Sequence, residues 1–374
     1  MQKFKAGNIV NQGSYKAFIP SLIYRQWQLS DMGLINLLAQ AERALGKLDM
    51  YSQYIPNIDL FISMHIAKEA NQSSKIEGTQ TNIEEVLMDK SEVQTEKRDD
   101  WQEVQNYITA MNQAIEGLRD LPFSSRLIKQ AHVLLLQSVR GAHKLPGEFR
   151  NSQNWIGGPN ITTATFVPPP HTHIQELMAD IEKLVHDDDN TLPHLLKIAL
   201  VHYQFETIHP FLDGNGRIGR LMITLYLVDK QLLGKPILYL SDFLEKNRNY
   251  YYDNLTRVRD KNDLLHWFKF FLTGIVETAE KSIQTFDAIL QLEKNVNEKL
   301  KHLGKRATKA HELINHLYSN PIVNAQKIQQ LIKGTKGTAY KLIEDLVKME
   351  ILKEATGNQR YRVFVFEDYL KLFR

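Results

Sequence analysis

Apolar residues recur at spacings of three and four along most of this 374-residue chain, a period that places them on one face of an α-helix. The pattern predicts helices over residues 34–50, 58–78, 99–118, 124–139, 193–208, 217–232 and 264–300. Pro193 suits the first position of its helix, because that position needs no backbone N–H donor. The last segment fits either one long helix or two shorter ones. We therefore predict a mainly α-helical fold.

Residues 147–170 break the helical pattern. Two stretches that favour β-structure, QNWI (153–156) and TATFV (163–167), flank a turn that contains two glycines and a proline. Three prolines follow and stop the second stretch. We interpret this segment as an exposed β-hairpin or an extended flap, and call it the flap.

The last 65 residues have a different pattern. Two helical stretches, AQKIQQLI and GTAYKLIEDLVKMEIL, are followed by two β-favouring stretches around Gly357-Asn358. This order is typical of a winged helix-turn-helix. Residues 301–374 also carry 14 Lys and Arg against 7 Asp and Glu, although the whole chain has a net charge of only +3. The changes in pattern and charge predict a domain boundary near residues 290–305.

Composition narrows the range of functions. The chain has no cysteine, which excludes disulfides, thiolate zinc sites and cysteine nucleophiles, and suits a reducing compartment. Its 43% hydrophobic and 24% charged residues are typical of a soluble globular protein. The N-terminal residues lack the apolar core of a signal peptide, so we expect a cytoplasmic protein without a membrane partner.

The segment HPFLDGNGRIGR, residues 209–220, carries the main candidate chemistry. Its glycines permit a tight loop, and the backbone N–H groups of Asn215, Gly216 and Arg217 would form an anion site at the start of a helix. Arginine in a first helical turn loses about 0.3–1 kcal/mol to the helix dipole unless an anion binds there. Arg217 and Arg220 beside such a turn therefore fit a polyphosphate.

Two further side chains of this segment complete the chemistry. Asp213 offers the hard oxygen ligand that would hold Mg²⁺ against phosphates. His209 can remove a proton from an incoming hydroxyl, because an ordinary histidine has a pKa near ~6.5. An EF-hand loop from Asp213 is excluded, since its twelfth residue is Thr224 rather than Glu. These residues predict attack of a hydroxyl on a nucleotide phosphate.

The same segment resembles the signature of the Fic family, H-x-F-x-[DE]-G-N-G-R-x-x-R, at every specified position. The resemblance implies an all-α Fic-type core with a β-hairpin flap that grips the target's main chain. It also implies transfer of AMP from ATP to a hydroxyl side chain of a protein, with release of pyrophosphate. By position, His209 resembles the general base, Asp213 the magnesium ligand and Phe211 the buried anchor of the loop. The residues that resemble the family's phosphate-binding set are Gly214, Asn215, Gly216, Arg217 and Arg220.

A shorter motif, SSKIEG at residues 73–78, fits the family's inhibitory pattern [ST]-x-x-x-E-[GN] through Ser73, Glu77 and Gly78. Glu77 ends a predicted helix, where the dipole disfavours a carboxylate, just before a glycine C-cap. A nearby cation would compensate, although the pattern alone also fits a plain helix end. In the family that cation is the second motif arginine, here Arg220, and the pair holds the γ-phosphate away from its productive position.

The nucleotide pocket is less well defined by the sequence. Residues 239–255, YLSDFLEKNRNYYYDNL, resemble a segment that lines the family's pocket. Aromatic residues at helical spacing are also typical of a hydrophobic core, so both interpretations remain open. The candidate nucleotide contacts outside the motif are Gln204, Asn247, Tyr250 and Tyr251.

The resemblance divides the chain into three parts. We expect an N-terminal helical region over 1–110, with the inhibitory helix at about 58–78, a catalytic core over 111–290 and a winged-helix-like domain over 300–374. The expected ligands are ATP and Mg²⁺. The expected partners are a protein with an acceptor Tyr, Thr or Ser, the chain itself as a further target, and a second copy in a homodimer.

Two alternatives stay open. A Fic enzyme can transfer another phosphate-containing group or remove AMP from a modified target. The basic tail instead suggests a transcriptional regulator or nucleotide sensor that binds DNA, although the acidic residues of its second helix would repel DNA if they face the groove. The candidate DNA phosphate contacts are Lys333, Lys336, Lys341 and Arg360.

Overall fold

A computed structural model describes residues 4–55, 57–137, 141, 143–355 and 362–374 of the protein. The helices up to residue 208 are α1 (Met32–Tyr54), α2 (Ile58–Ile76), α3 (Ile83–Leu87), α4 (Arg98–Gly117), α5 (Ser125–Leu135), α6 (Ile174–His186) and α7 (His194–Ile208). Four helices follow: α8 (Asn215–Asp229), α9 (Ser241–Lys246), α10 (Arg248–Lys261) and α11 (Leu264–Leu300). The mainly helical fold predicted from the sequence is confirmed, and residues 264–300 form one helix.

The core is built around α7 and α8. Every residue of α7 from Leu195 to Ile208 is buried, which explains why its sequence is apolar on all sides rather than on one face. The adjoining α8 is buried almost as completely. The two helices pack against each other, and α1 packs along α11 beside them. The segment 209–214 therefore joins two helices that the core holds in place.

The N-terminal region differs from the helical prediction. Before α1, strands β1 (Gly7–Asn11) and β2 (Lys16–Pro20) form an antiparallel hairpin in which Gly7 pairs with Pro20 and Asn11 with Lys16. Gly13 supplies the left-handed residue of the turn, with φ of 82°. The β-branched and aromatic residues of NIV and KAFIP, on either side of Gly13, carry this signal in the sequence.

The flap is less regular than the predicted hairpin. Its two arms meet at one antiparallel bridge, between Ile156 and Phe166. Gly157 and Gly158 turn the chain with φ of 70° and 77°. Further pairing is limited because the next carbonyl, that of Val167, accepts instead from the Phe18 N–H of β2. The prolines that follow have no N–H to donate.

The C-terminal residues fold as α12 (Ala307–Ser319), β3 (Ile322–Asn324), α13 (Ala325–Leu331), α14 (Lys336–Lys348), β4 (Lys353–Glu354), β5 (Val363–Val365) and α15 (Glu367–Leu370). The strands form an antiparallel sheet in the order β3-β5-β4. The predicted turn at Gly357-Asn358 and the candidate Arg360 lie outside the described residues, and the winged-helix assignment stays a prediction. Within the described ranges, every helix is too short or too polar to cross a lipid bilayer.

The C-terminal residues pack directly on α2. Phe61 of α2 meets the rings of Tyr318 and Tyr369 at centroid distances of 5.1 and 6.4 Å. His65, one turn further along α2, meets the Phe373 ring at 5.0 Å. The helix that ends at Glu77 is therefore covered by the C-terminal part of the chain.

Candidate active site

The segment 209–220 forms a loop closed across its base. His209 ends α7 in the left-handed conformation, with φ of 50°, and Gly214 precedes α8 with φ of 76°. The Asn215 side chain accepts a hydrogen bond from the Phe211 N–H at 2.8 Å and donates to the Phe211 carbonyl at 2.9 Å. The Phe211 ring itself is fully buried. The loop is therefore fixed by its own asparagine and phenylalanine.

His132 supports the loop from α5, a role that the sequence did not reveal. Its Nδ1 accepts from the Gly147 N–H at 2.8 Å, so Nε2 carries the proton and donates to the Asp213 carbonyl at 3.0 Å. The ring stacks on Phe211, with 3.8 Å between centroids. Burial lowers the pKa of His132 to about 4, so the ring is neutral near pH 7.

Arg150 ties the flap to the loop and was also missed. This buried guanidinium donates to the carbonyl of His209 at 2.9 Å and to that of Ile208 at 3.3 Å. It also donates to two flap carbonyls, those of Ser152 at 3.0 Å and Pro169 at 2.6 Å. The Arg150 guanidinium thus fixes the backbone of the flap and the backbone at the end of α7. The sequence gives no sign of it, because all four partners are backbone atoms.

His209 is held as a neutral base. Its carbonyl accepts from Arg150 and from Asn154 Nδ2, the latter at 3.2 Å, and its Nδ1 lies 3.4 Å from the Glu206 carbonyl. Burial, with the nearby positive charges of Arg150 and Arg259, lowers the pKa of His209 to about 4. A neutral imidazole can accept a proton near pH 7.

The structure brings Ser73, Glu77 and Arg220 together. Glu77 Oε1 lies 2.7 Å from Arg220 Nη2, and the Arg220 side chain is only 1% exposed. Arg220 also donates to the hydroxyl and the carbonyl of Ser73, at 2.8 and 2.9 Å. Burial alone would raise the pKa of Glu77, but the charge of Arg220 lowers it below its ordinary value. Gly78 follows with φ of 105°, which takes the chain away from α2.

The Glu77 carboxylate also lies against the first turn of α8. A Cβ atom added to Gly216 would be only 2.2 Å from Glu77 Oε1 and 3.0 Å from Arg220 Nη1. Glycine at this position therefore permits the close approach. The first turn of a helix presents unpaired N–H groups and the positive end of the dipole. A carboxylate of the chain itself thus lies in the predicted anion site.

Arg217 and Asp213 lie beside that site. Arg217 Nη1 is 3.2 Å from Glu103 Oε2, and Nη2 is 3.5 Å from Asp213 Oδ1. The Asp213 side chain remains 43% exposed and can accept a further ligand. The described residues contain no group of three or more His, Asp or Glu at metal-binding distances. Asp213 would thus be a single protein ligand, which fits Mg²⁺ held mainly by phosphates and water.

A second carboxylate, that of Glu206, is buried near Arg220 and was not predicted. Its Oε1 has no hydrogen-bond partner and lies 2.3 Å from where a Cβ of Gly219 would be. Burial raises the pKa of Glu206 to about 7, against the opposing effect of the Arg220 charge. The signal in the sequence was slight: an acidic residue within an otherwise apolar helix.

The four candidates for the nucleotide pocket differ in burial and in hydrogen bonding. Tyr251 is buried and its hydroxyl lies 2.9 Å from His202 Nε2, so its assignment as a nucleotide contact stays a prediction. Gln204 is also buried and its amide nitrogen donates to the Ser21 carbonyl at 2.9 Å, but its Oε1 has no hydrogen-bond partner, so it stays a candidate too. Tyr250 is 68% exposed and Asn247 is partly exposed, so both stay candidates.

Tyr252 is the neighbour that the sequence analysis passed over. It is 41% exposed, and burial together with the Glu77 carboxylate raises its pKa, which places the phenol near the Glu77–Arg220 pair. Three consecutive tyrosines on one helix point about 100° apart. The charges of Glu77 and Arg220 affect the pKa of both Tyr251 and Tyr252, so both phenols lie near the pair, and the two differ in that Tyr251 is buried.

Two family profiles match the part of the chain that contains the candidate site. The profile described as Fic/DOC family N-terminal matches residues 35–116, and the profile described as Fic/DOC family matches residues 122–227. Together they span half of the chain and contain both Glu77 and the 209–220 segment.

Curated relatives share the same region. A protein named Protein adenylyltransferase Fic from Drosophila yakuba is 27% identical over 192 residues, which are 51% of this chain and 34% of the relative. One of the same name from Aedes aegypti is 31% identical over 141 residues, 37% of this chain and 25% of the relative. The chain thus spans about a third or less of the length of these relatives.

Solved structures share the fold. A Fic family protein from Desulfovibrio desulfuricans G20 superposes with a TM-score of 0.57 at 19% identity, over 91% of this chain and 98% of that one. Fic-1 (residues 134–508) from C. elegans superposes with a TM-score of 0.52 at 19% identity, over 70% of this chain and 75% of that one. The Fic-type helical core is therefore confirmed.

Proposed function

Because the chain belongs to the Fic/DOC family, we propose that it is a protein adenylyltransferase, which transfers AMP from ATP to a hydroxyl side chain of a target protein. The observation that carries the proposal is the Glu77 carboxylate at the first turn of α8, bonded to Arg220 and in close approach to Gly216. A site that draws in a carboxylate of its own chain is built to hold negative charge. The names of the curated relatives support ATP as the source of that charge.

The proposed reaction gives each of the neighbouring side chains a role. The acceptor oxygen attacks the α-phosphorus of ATP, a new P–O bond forms, and the bond to the β-phosphate breaks to release pyrophosphate. His209, neutral near pH 7, accepts the proton of the attacking hydroxyl. Arg217, Arg220 and the N–H groups of α8 would neutralise the phosphates.

The residues fit a magnesium ion at one position. Asp213 has an exposed carboxylate beside the start of α8, where it can hold Mg²⁺ against phosphate oxygens. A bound Mg²⁺ would offset the charge of the phosphates and favour departure of pyrophosphate. Arg217, 3.5 Å from the same carboxylate, keeps it oriented toward the site.

Glu77 would restrain this activity. Its carboxylate pairs with Arg220, the residue assigned to the γ-phosphate, and would repel a phosphate placed there. Arg220 is also bonded to Ser73, so α2 supplies two of its contacts.

Transfer of labelled AMP tests the proposal. The protein is incubated with [α-³²P]ATP and Mg²⁺, and label on the protein is compared among the wild type, Glu77→Gly, and Glu77→Gly with His209→Ala. We expect strong self-labelling by Glu77→Gly, weak labelling by the wild type and none by the double variant. Equal, negligible labelling by all three proteins contradicts the proposed activity.

A further inference from the structure

A cavity of about 160 Å³ lies between α2, α9, α11 and the C-terminal turn Lys371–Phe373. His65, Lys68 and Gln72 line it from one face of α2, whereas Ser73 and Glu77 use a different face of the same helix to hold Arg220. We call it the α2 cavity. It is smaller than the pockets of about 300–1,000 Å³ that hold drug-sized ligands, so it suits a small group.

Three lysines from three helices line the α2 cavity: Lys68 of α2, Lys246 of α9 and Lys281 of α11. Asp242 is shared by two of them, because its Oδ2 lies 3.0 Å from Lys246 Nζ and 2.5 Å from Lys281 Nζ. Within the described residues, no carboxylate lies within 4.0 Å of Lys68 Nζ. Lys68 is therefore the ammonium group without a direct partner.

The other carboxylates of the lining do not fill this gap. Glu69 accepts from the backbone N–H and the hydroxyl of Ser241, at 3.1 and 2.5 Å. Burial raises the pKa of Glu69. The lining thus contains three ammonium groups and three carboxylates, Glu69, Asp242 and Glu277. Within the described residues none of these carboxylates lies within 4.0 Å of Lys68 Nζ, so Lys68 has no ion-pair partner in the lining.

Two buried polar atoms of the lining also lack hydrogen-bond partners. His65 is only 8% exposed and its Nε2 is unpaired; Gln72 Oε1 is unpaired as well, but this amide oxygen is an acceptor and would bind a donor rather than an anion. Burial lowers the pKa of His65 to about 3, so the ring is neutral and Nε2 can carry a donor proton. Burial also lowers the pKa of Lys68 to about 8, with a contribution from the charges of Lys281 and Lys246. An acceptor placed between His65 and Lys68 would give both of them a hydrogen-bond partner.

We propose that the α2 cavity binds a phosphate group, free or as a small monoester, through Lys68, His65 and Lys281. A tetrahedral phosphate has enough oxygens to meet all three donors at once, which a planar carboxylate with two oxygens cannot do. Lysine ammonium groups are common phosphate ligands.

Occupation of the α2 cavity would reach the proposed active site through one helix. Gln72, which donates to Asp242 at 3.1 Å, directly precedes Ser73, and Glu77 follows about one turn later. We expect a bound phosphate to attract the Lys68 ammonium group and, through α2, to change the strength of the Glu77–Arg220 contact. This second step rests on the proposed function, whereas phosphate binding does not.

Calorimetric titration of the full chain with inorganic phosphate, and in a second arm with glycerol 3-phosphate, tests the binding. We expect one saturable site, weakened at least tenfold in Lys68→Met and unchanged in Lys47→Met, which removes an exposed lysine of α1. The arm with the higher affinity identifies the free ion or the ester. Lys281→Met, at a half-exposed position, should weaken binding in the same direction without a folding defect.

Several results would overturn the proposal. The wild type binding neither probe, or Lys68→Met binding as well as the wild type, excludes the site. Loss of binding in Arg217→Gln with retention in Lys68→Met would place the phosphate at the start of α8 instead. Melting temperatures within a few degrees of the wild type confirm that each variant is folded.

Self-labelling with [α-³²P]ATP tests the second step. We expect phosphate at saturating concentration to change labelling of the wild type at least twofold, and to leave Lys68→Met and Glu77→Gly unchanged. An equal response in Lys68→Met refutes the connection to α2. If Glu77→Gly transfers no label under any condition, the proposed function fails, and the titration still decides whether the α2 cavity binds phosphate.

Discussion

The Glu77–Arg220 pair gives the most quantitative prediction. Glu77→Gln keeps the shape of the side chain and an oxygen that can accept from Arg220, but removes the negative charge that pairs with the buried guanidinium. Breaking a fully buried ion pair costs about 3–5 kcal/mol. The Glu77 side chain is 36% exposed, so solvent screens the pair, and we expect the smaller value of a hydrogen bond to a charged group, about 1.5–3 kcal/mol.

A double-mutant cycle isolates this contribution. Unfolding by urea is followed for the wild type, Glu77→Gln, Arg220→Met and the double variant, and the coupling free energy is taken from the four values. The control pair is Lys235–Asp59, also 2.7 Å apart but with side chains 44% and 73% exposed, for which we expect about 0–1 kcal/mol. A coupling no larger than that of the control would refute the reasoning.

The same pair predicts a dependence on pH. Arg220 holds the pKa of Glu77 in the folded protein below its ordinary value of 4.5. The unfolded chain therefore binds a proton first, and the stabilisation is present above pH 4.5 and lost as the pH falls through the folded pKa. The coupling should be constant between about pH 6 and 8 and decline only below this range, whereas an inflection near neutrality would contradict the assignment.

Three further predictions concern the residues around the loop. In Glu77→Gly, kcat should stay level from about pH 8 to 6, because burial lowers the pKa of His209 to about 4; an inflection near pH 6.5 in a pH–rate profile would show an ordinary histidine. Arg150→Met should destabilise the protein by about 3 kcal/mol in urea unfolding, since four backbone carbonyls lose a hydrogen bond to a charged donor, although that of His209 keeps the one from Asn154. Tyr252→Ala should weaken ATP binding at least fivefold in calorimetry, whereas Tyr251→Phe should leave it unchanged. The opposite order would show that Tyr251, rather than Tyr252, contacts the nucleotide.

Chemistry that is contiguous in the sequence could be predicted. The base, the metal ligand, the turn and both arginines lie within residues 209–220, so their spacing alone indicates an anion site at a helix start. The partner of Arg220 lies 143 positions away, and only the resemblance linked Glu77 to it. The structure then brings the two side chains to 2.7 Å.

Residues that act through the backbone could not be predicted. Arg150 and His132 bind carbonyl and N–H groups, which every residue has, so no residue pattern indicates their partners. Helical phase is a second gap. Tyr251 and Tyr252 are equivalent in the sequence; in the structure the charges of Glu77 and Arg220 affect the pKa of both, but Tyr251 is buried and bonded to His202 whereas Tyr252 is partly exposed.

Short β-structure was the third gap. Ile9 and Val10 before Gly13, with Phe18 and Ile19 after it, indicate the pair β1 and β2, but helical periodicity elsewhere favoured a helical N-terminus. In the flap, β propensity predicted a hairpin, and competition from β2 for the Val167 carbonyl leaves one bridge. Tertiary contacts decide the pairing of strands this short.

The position of the label in ATP distinguishes transfer of AMP from transfer of phosphate. Glu77→Gly is incubated with Mg²⁺ and either [α-³²P]ATP or [γ-³²P]ATP, and label is measured both on protein and in released pyrophosphate. The account predicts that α-label becomes attached to protein and that γ-label appears only in pyrophosphate, in equal amounts. Attachment of γ-label to protein would contradict it and indicate transfer of phosphate instead.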